Sequence, residues 1–170
     1  LESEPHSPKV EFLVAIAGPL MSLALSVSFA FLSWIAFLTG GLAPLAEVFT
    51  YLAAMNLVLA VFNLVPAFPL DGGRVLRAYL WHRDGNLLHA TETASKSGIL
   101  FAFVLMGFGV ISLFQGALVP ALWQIMIGGF LLVAARSTYQ AQLVHVVFDK
   151  STVGNLMRSR PIAVEPGVTL

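Results

Sequence analysis

Charged residues fall in a few short stretches of this chain, and long apolar runs separate them. From Phe12 to Ala46 there is no Asp, Glu, Lys or Arg in 35 residues; Val48 to Leu70 is a second such run of 23, and Ser97 to Ala135 a third of 39. A helix rises about 1.5 Å per residue, so about 20 apolar residues cross the hydrocarbon of a bilayer. The first run reads as one long helix over about Phe12–Leu38, ended by Thr39-Gly40-Gly41 and Pro44. The second reads as a span over about 47–70. The third is too long for one crossing and splits at Gln115-Gly116 and Pro120 into spans of about 97–114 and 119–136. The pattern is that of an all-α polytopic membrane protein with four transmembrane helices.

Composition sharpens this. With 58% apolar and 11% charged residues, the chain cannot cover a water-facing surface, since soluble domains carry about 25% charged residues. Thirteen Phe exclude a disordered chain. A net charge of zero offers no basic footprint for a nucleic acid polymer, and the absence of Cys removes disulfides, thiolate metal sites and cysteine nucleophiles. The obligatory partner is the lipid bilayer.

All nine Lys and Arg fall on one side of this arrangement: Lys9; Arg74, Arg77, Arg83 and Lys96; then Arg136, Lys150, Arg158 and Arg160. The positive-inside rule predicts a multi-pass protein of the cell membrane with 1–10, the connection 74–96, and 136–170 in the cytoplasm. Residues 151–170 are polar and contain Pro, Gly and the β-prone Pro161-Ile162-Ala163-Val164, which predicts the start of a soluble domain after a membrane domain over 1–150. Twenty residues cannot bury a core. A start at Leu1 and a stop inside that patterned tail read as a piece of a longer protein.

The chemistry-bearing stretch is Asn63-Leu64-Val65-Pro66-Ala67-Phe68-Pro69-Leu70-Asp71-Gly72-Gly73-Arg74. Two prolines in an apolar run interrupt the helix, and irregular backbone at membrane depth survives only where protein or a wet cavity covers it. An ionisable group beside such a break is a functional candidate, because hydrocarbon makes charge costly. Two readings of Asp71 stay open: N-cap of a short helix Gly72–His82, offset by Arg74, or a metal or proton site.

The same residues resemble the Asn-Pro/Leu-Asp-Gly motif of the site-2 protease family of intramembrane zinc metalloproteases (peptidase family M50). Ile16-Ala17-Gly18-Pro19-Leu20-Met21-Ser22 resembles its Ala-Gly-Pro motif one helix upstream. Thr152 to Met157, with Pro161 and Pro166-Gly167, resembles the opening of a cystathionine-β-synthase-type (CBS) domain, an α/β module that a subgroup carries after its membrane region. The resemblance implies Zn2+ as cofactor, Asp71 as third metal ligand, and two His and a general-base Glu from a His-Glu-x-x-His helix. His6, His82, His89 and His145 form no such motif, so these groups are expected upstream and this piece alone is expected to be inactive. It further implies a membrane-protein substrate, adenine nucleotide at a complete CBS domain, and an Asn63 amide that donates to the polarised peptide carbonyl. The alternative for Asn63 is that it satisfies backbone groups freed by Pro66.

Other residues carry less. His89 and Glu92 share a helical face but lack a third ligand and read as solvated surface; His82 beside Trp81 reads as an interfacial anchor. Gly18, Ser22, Ser26 and Ala30 recur every four residues and predict close packing against an upstream zinc-bearing helix or the segment carrying Asp71, and Gly107, Gly109, Gly128 and Gly129 predict it between the third and fourth spans. Phe101, Phe103, Phe108, Phe114, Trp123 and Phe130 read as lipid-facing or packing surface. Three functions follow: an intramembrane zinc protease, an ion-coupled transporter or channel with Asp71 as titrating group, and an inactive scaffold with a nucleotide-sensing CBS module.

Overall fold

The computed structural model describes residues 7–39 and 43–149, with side chains as far as 144. Five helices follow in order: α1 (Pro8–Leu38), α2 (Ala43–Asn63), α3 (Asp71–Asp84), α4 (Leu87–Phe114) and α5 (Leu118–Asp149). All but α3 are long and apolar enough to cross a membrane. Every element among the described residues is helical. The CBS-type expectation for 151–170 falls outside them.

Local chemistry accounts for the boundaries. Ser7 caps α1, accepting from the Val10 N–H, and Pro8 occupies the first turn, where a missing N–H costs nothing. The α2 helix stops at Asn63 because Pro66 keeps Val65 out of the helical region. Gly85 ends α3 in the left-handed conformation (φ 68°), and the Asn86 side chain caps α4 by accepting from the His89 N–H at 3.1 Å. Gly116 (φ 80°) makes the turn between α4 and α5.

Three extents differ from the sequence expectation. Helix α2 ends at Asn63 and the rest of the 47–70 span, residues 64–70, is turn. Helix α4 begins at Leu87, ten residues before 97, so most of the 74–96 connection is helical. Helix α5 runs to Asp149, past 136. Hydropathy marks the thickness of the hydrocarbon, whereas a helix continues into water for as long as its caps and polar residues allow.

Helices α1 and α2 form one antiparallel hairpin, fastened by Ser26 Oγ donating to the Ala53 carbonyl (2.8 Å) and Ser33 Oγ to that of Ala46 (2.9 Å). Helices α4 and α5 form a second, in which Gly109 lies against Ala121 and Ile125, and Gly128 against Ala102 and Met106. Gly107 and Gly129 face open space and take no part. Helix α3 packs on both α1 and α4 and bridges the hairpins. The buried positions are mostly small, among them Ala15, Ala53, Ala60, Ala90, Ala94, Ala102, Ala121 and Ala135. Large side chains such as Phe103, Phe108, Phe114, Trp123 and Phe130 are exposed. A surface this apolar suits lipid, where association rests on close contact between small residues.

Candidate functional site

The break between α2 and α3 is a folded turn, and the residues around it are small where its backbone passes. Val65 N–H donates to the Phe62 carbonyl (3.2 Å), Ala67 N–H to that of Val65 (2.7 Å), and Leu70 N–H to that of Ala67 (2.9 Å). The Phe68–Pro69 peptide is cis. This turn lies back across the first turn of α3: a Cβ on Gly72 would fall 2.3 Å from the Val65 carbonyl oxygen, and one on Gly73 2.5 Å from the Ala67 carbonyl carbon. The double glycine is therefore required by a backbone crossing. On the other side, Gly98 of α4 leaves room for the Phe68 carbonyl, and Ser97 Oγ donates to the Pro66 carbonyl at 2.6 Å. Phe68 is buried in a small cluster with Ala94 and Ala135, with Leu76 and Ile99 packed against it. Protein thus covers the Ala67-Phe68 part of this irregular backbone, the condition for such backbone to survive at membrane depth.

Asp71 is the first residue of α3, and the cap position belongs to Leu70, whose side chain caps nothing. The reading of Asp71 as N-cap is corrected by one residue: inside the helix, its carboxylate is free to point elsewhere. It points at α1. The space a Cβ would occupy on Gly18 lies 2.8 Å from Asp71 Oδ2, so the Ala-Gly-Pro and Leu-Asp-Gly segments meet at this contact. The carboxylate is half-buried and makes no side-chain hydrogen bond or ion pair among the described residues, Arg74 included. A partly buried anionic oxygen donor without a counterion is suited to a cation.

Seven residues before Gly18, on the same face of α1, Glu11 is completely buried. Arg77 of α3 reaches it, donating from Nε at 2.6 Å and from Nη2 to the same oxygen, Oε1. The Arg77 guanidinium also lies over the Phe68 ring, 5.3 Å from its centre.

Residues 39–107, from the end of α1 through most of α4, match the model of peptidase family M50. Rip3 of Mycobacterium tuberculosis, named as a zinc metalloprotease, is 39% identical over 163 residues, which is 95% of this chain and 41% of Rip3. Zinc metalloprotease MJ0392 of Methanocaldococcus jannaschii is 30% identical over 94% of this chain and 44% of its own length. This chain carries a peptidase family M50 domain. A solved site-2 protease from Methanocaldococcus jannaschii superposes on it with a TM-score of 0.61 at 26% identity, covering 82% of this chain and 59% of that one. The chain spans about two fifths of the length of the curated relatives it matches.

The other sequence candidates sort cleanly. Asn63 is the last residue of α2 and half-buried, directly before the break. The carbonyl freed by Pro66, that of Phe62, is taken by Val65, so Asn63 is not needed there, and its amide makes no hydrogen bond among the described residues. His89 and Glu92 are not joint ligands. His89 Nδ1 sits 3.8 Å from Asp84, and Glu92 pairs with Lys96 at 2.7 Å, the solvated surface expected of them. Arg83 donates to Asp84 and holds its carboxyl below the ordinary carboxylate range. Of the small-residue stripe, Gly18 meets Asp71 and Ser26 bonds to α2, while Ser22 is buried. Among the described residues no three His, Asp or Glu gather into a metal-binding group. Asp71 fits a single ligand position; a complete site needs donors from elsewhere.

Glu11 and Arg77 form a buried pair beside this site that sequence reasoning passed over. Arg77 counted only as a positive charge. The available signal was a carboxylate set two turns before the Ala-Gly-Pro segment, at the edge of an apolar run.

Proposed function

We propose that the protein of which this chain is part is an intramembrane zinc endopeptidase of the site-2 protease type, acting on membrane-embedded protein substrates. The observation that carries this is the Asp71 carboxylate, half-buried and unpaired against Gly18 where α1, the proline turn and α3 meet. The names of the relatives and the fold match support the reaction class. Asp71 serves as one of three protein ligands. The other two and the general base come from residues outside this chain, in keeping with the greater length of its relatives. When bound, zinc supplies Lewis acidity that polarises a peptide carbonyl and lowers the pKa of water.

The chain's own residues have separate tasks. Asp71 binds the cation and partly neutralises it in a poorly solvated place. Asn63 donates from its amide to the peptide carbonyl oxygen as charge develops there. The proline turn holds Leu70 and Asp71 in place at the start of α3, and the surrounding helices limit water. The side on which all nine Lys and Arg fall faces the cytoplasm. A nucleotide-sensing CBS module that begins at 151–170 is part of the same proposal, supported by its motif resemblance.

The test uses the full-length protein and its Asp71→Asn and Asp71→Ala forms, purified from membranes and analysed for metal. Near-stoichiometric zinc is expected in the parent, with strongly reduced zinc and no cleavage of a membrane reporter in the variants. Equal zinc content in parent and variants would remove Asp71 from the ligand set.

A further inference from the structure

We infer that Arg77, pinned between Glu11 and Phe68, is a positioning residue that sets the place of Asp71. This rests on the proposed reading of Asp71 as a metal ligand. Helices α1 and α3 run antiparallel and touch at two charged points. Gly18 meets Asp71 at one, and Glu11 meets Arg77 at the other. The points are seven residues apart on α1, about 10 Å, and six apart on α3, about 9 Å. Seven residues bring α1 back to almost the same face, so on α1 both points lie along one face, the seam against which α3 packs. Helix α3 also packs along α1 and α4, and the Glu11–Arg77 contact adds a directed polar tie at the far end of its contact with α1.

Arg77 does more than join two helices. Its guanidinium over Phe68 ties the proline turn to the same seam, and Phe68 is itself buried against α4 and α5. One planar fork therefore fixes α1, α3 and the turn whose end is Leu70-Asp71. A lysine could supply the charge but neither the two donors nor the flat stacking surface.

The pair is also unusual in its cost. The Glu11 side chain is 0% exposed and that of Arg77 13%. Glu11 Oε2 is buried with no partner among the described residues, so Arg77 is its one ionic support there. Burying such a pair costs more solvation than a pair of apolar side chains in the same space, and helix packing alone does not call for it. What it supplies is direction, a role that outer-layer groups play around metal ligands.

The experiment compares the full-length protein with Glu11→Met/Arg77→Met and with Arg77→Lys. Removing one partner alone strands a buried charge and endangers folding, whereas replacing both with apolar groups is often neutral or stabilising. Three quantities are read: thermal unfolding of the metal-free protein, zinc affinity by chelator competition, and kcat and KM on a membrane reporter. A fourth needs no metal, the rate at which a hydrophobic carbodiimide modifies Asp71, followed by peptide mass spectrometry. The double variant is expected to unfold at the parent temperature and bind zinc about 10–100-fold more weakly. Its kcat falls with KM little changed, and Asp71 is modified severalfold faster. Arg77→Lys shows the same changes to a smaller degree.

Parent zinc affinity and parent kcat in both variants would overturn the proposal. So would an unchanged Asp71 modification rate in whichever variant folds. A parent protein that binds no zinc refutes the metal reading of Asp71 instead, and the modification rates then decide the clamp by themselves.

Discussion

Placing a methyl group at Gly18 sets the needs of α1 against those of Asp71. An added Cβ falls 2.8 Å from Asp71 Oδ2 and 3.7 Å from its Cγ. Ordinary contact begins at about 3.4 Å, so the carboxylate must withdraw by about 0.6 Å. The obstacle is the end of a half-buried side chain with no other bond, and a torsional adjustment of that kind costs about 0.5–1.5 kcal/mol. Replacing a mid-helix glycine by alanine returns about 0.5–1 kcal/mol. The two nearly cancel, and the metal-free protein should keep its unfolding temperature. Ligation tolerates less, since ligand distances hold to within about 0.2 Å. Gly18→Ala should therefore weaken zinc binding by about tenfold or more while leaving the fold intact. The assay is zinc content of the full-length protein after dialysis against graded chelator, run beside apo-protein unfolding and reporter cleavage. Parent zinc affinity together with parent activity would refute the claim that the Gly18–Asp71 contact sets the geometry of the metal ligand.

Gly98→Ala is expected to behave in the opposite way. Its Cβ would meet the Phe68 carbonyl oxygen at 2.2 Å, which is backbone and cannot swing aside, so a stability loss of about 1–3 kcal/mol should appear in thermal unfolding before any specific loss of metal. Ser26→Ala removes the hydroxyl bond to the Ala53 carbonyl between α1 and α2; in a membrane such bonds average about 0.6 kcal/mol, so steric-trap or denaturant unfolding should register a small loss with zinc content unchanged. Asn63→Ala should lower kcat by about 10²–10³ with KM and zinc content near parent values, and a change confined to KM would exclude the carbonyl-donor role.

Much of this was legible without coordinates. Uncharged runs of 35, 23 and 39 residues determine four crossings, because the bilayer sets a length that hydropathy reads directly. Pro66 and Pro69 determine where the second crossing breaks, and the charge at the break singles out Asp71. These are properties of neighbours along the chain. They could not decide whether Asp71 caps α3 or begins it, since that depends on how the turn from 64 to 70 folds back over Gly72 and Gly73.

Contacts between distant segments were decided only in three dimensions. Gly18 belongs to a stripe of small residues for which the sequence left two partners open, and only the folded chain shows that the Asp71 carboxylate fills its notch. Glu11 and Arg77 are 66 residues apart, and neither spacing nor composition pairs them. Apolar helices in lipid have little hydrophobic reason to prefer one neighbour over another. The choice falls to notches and charges, and those match only once the helices lie side by side.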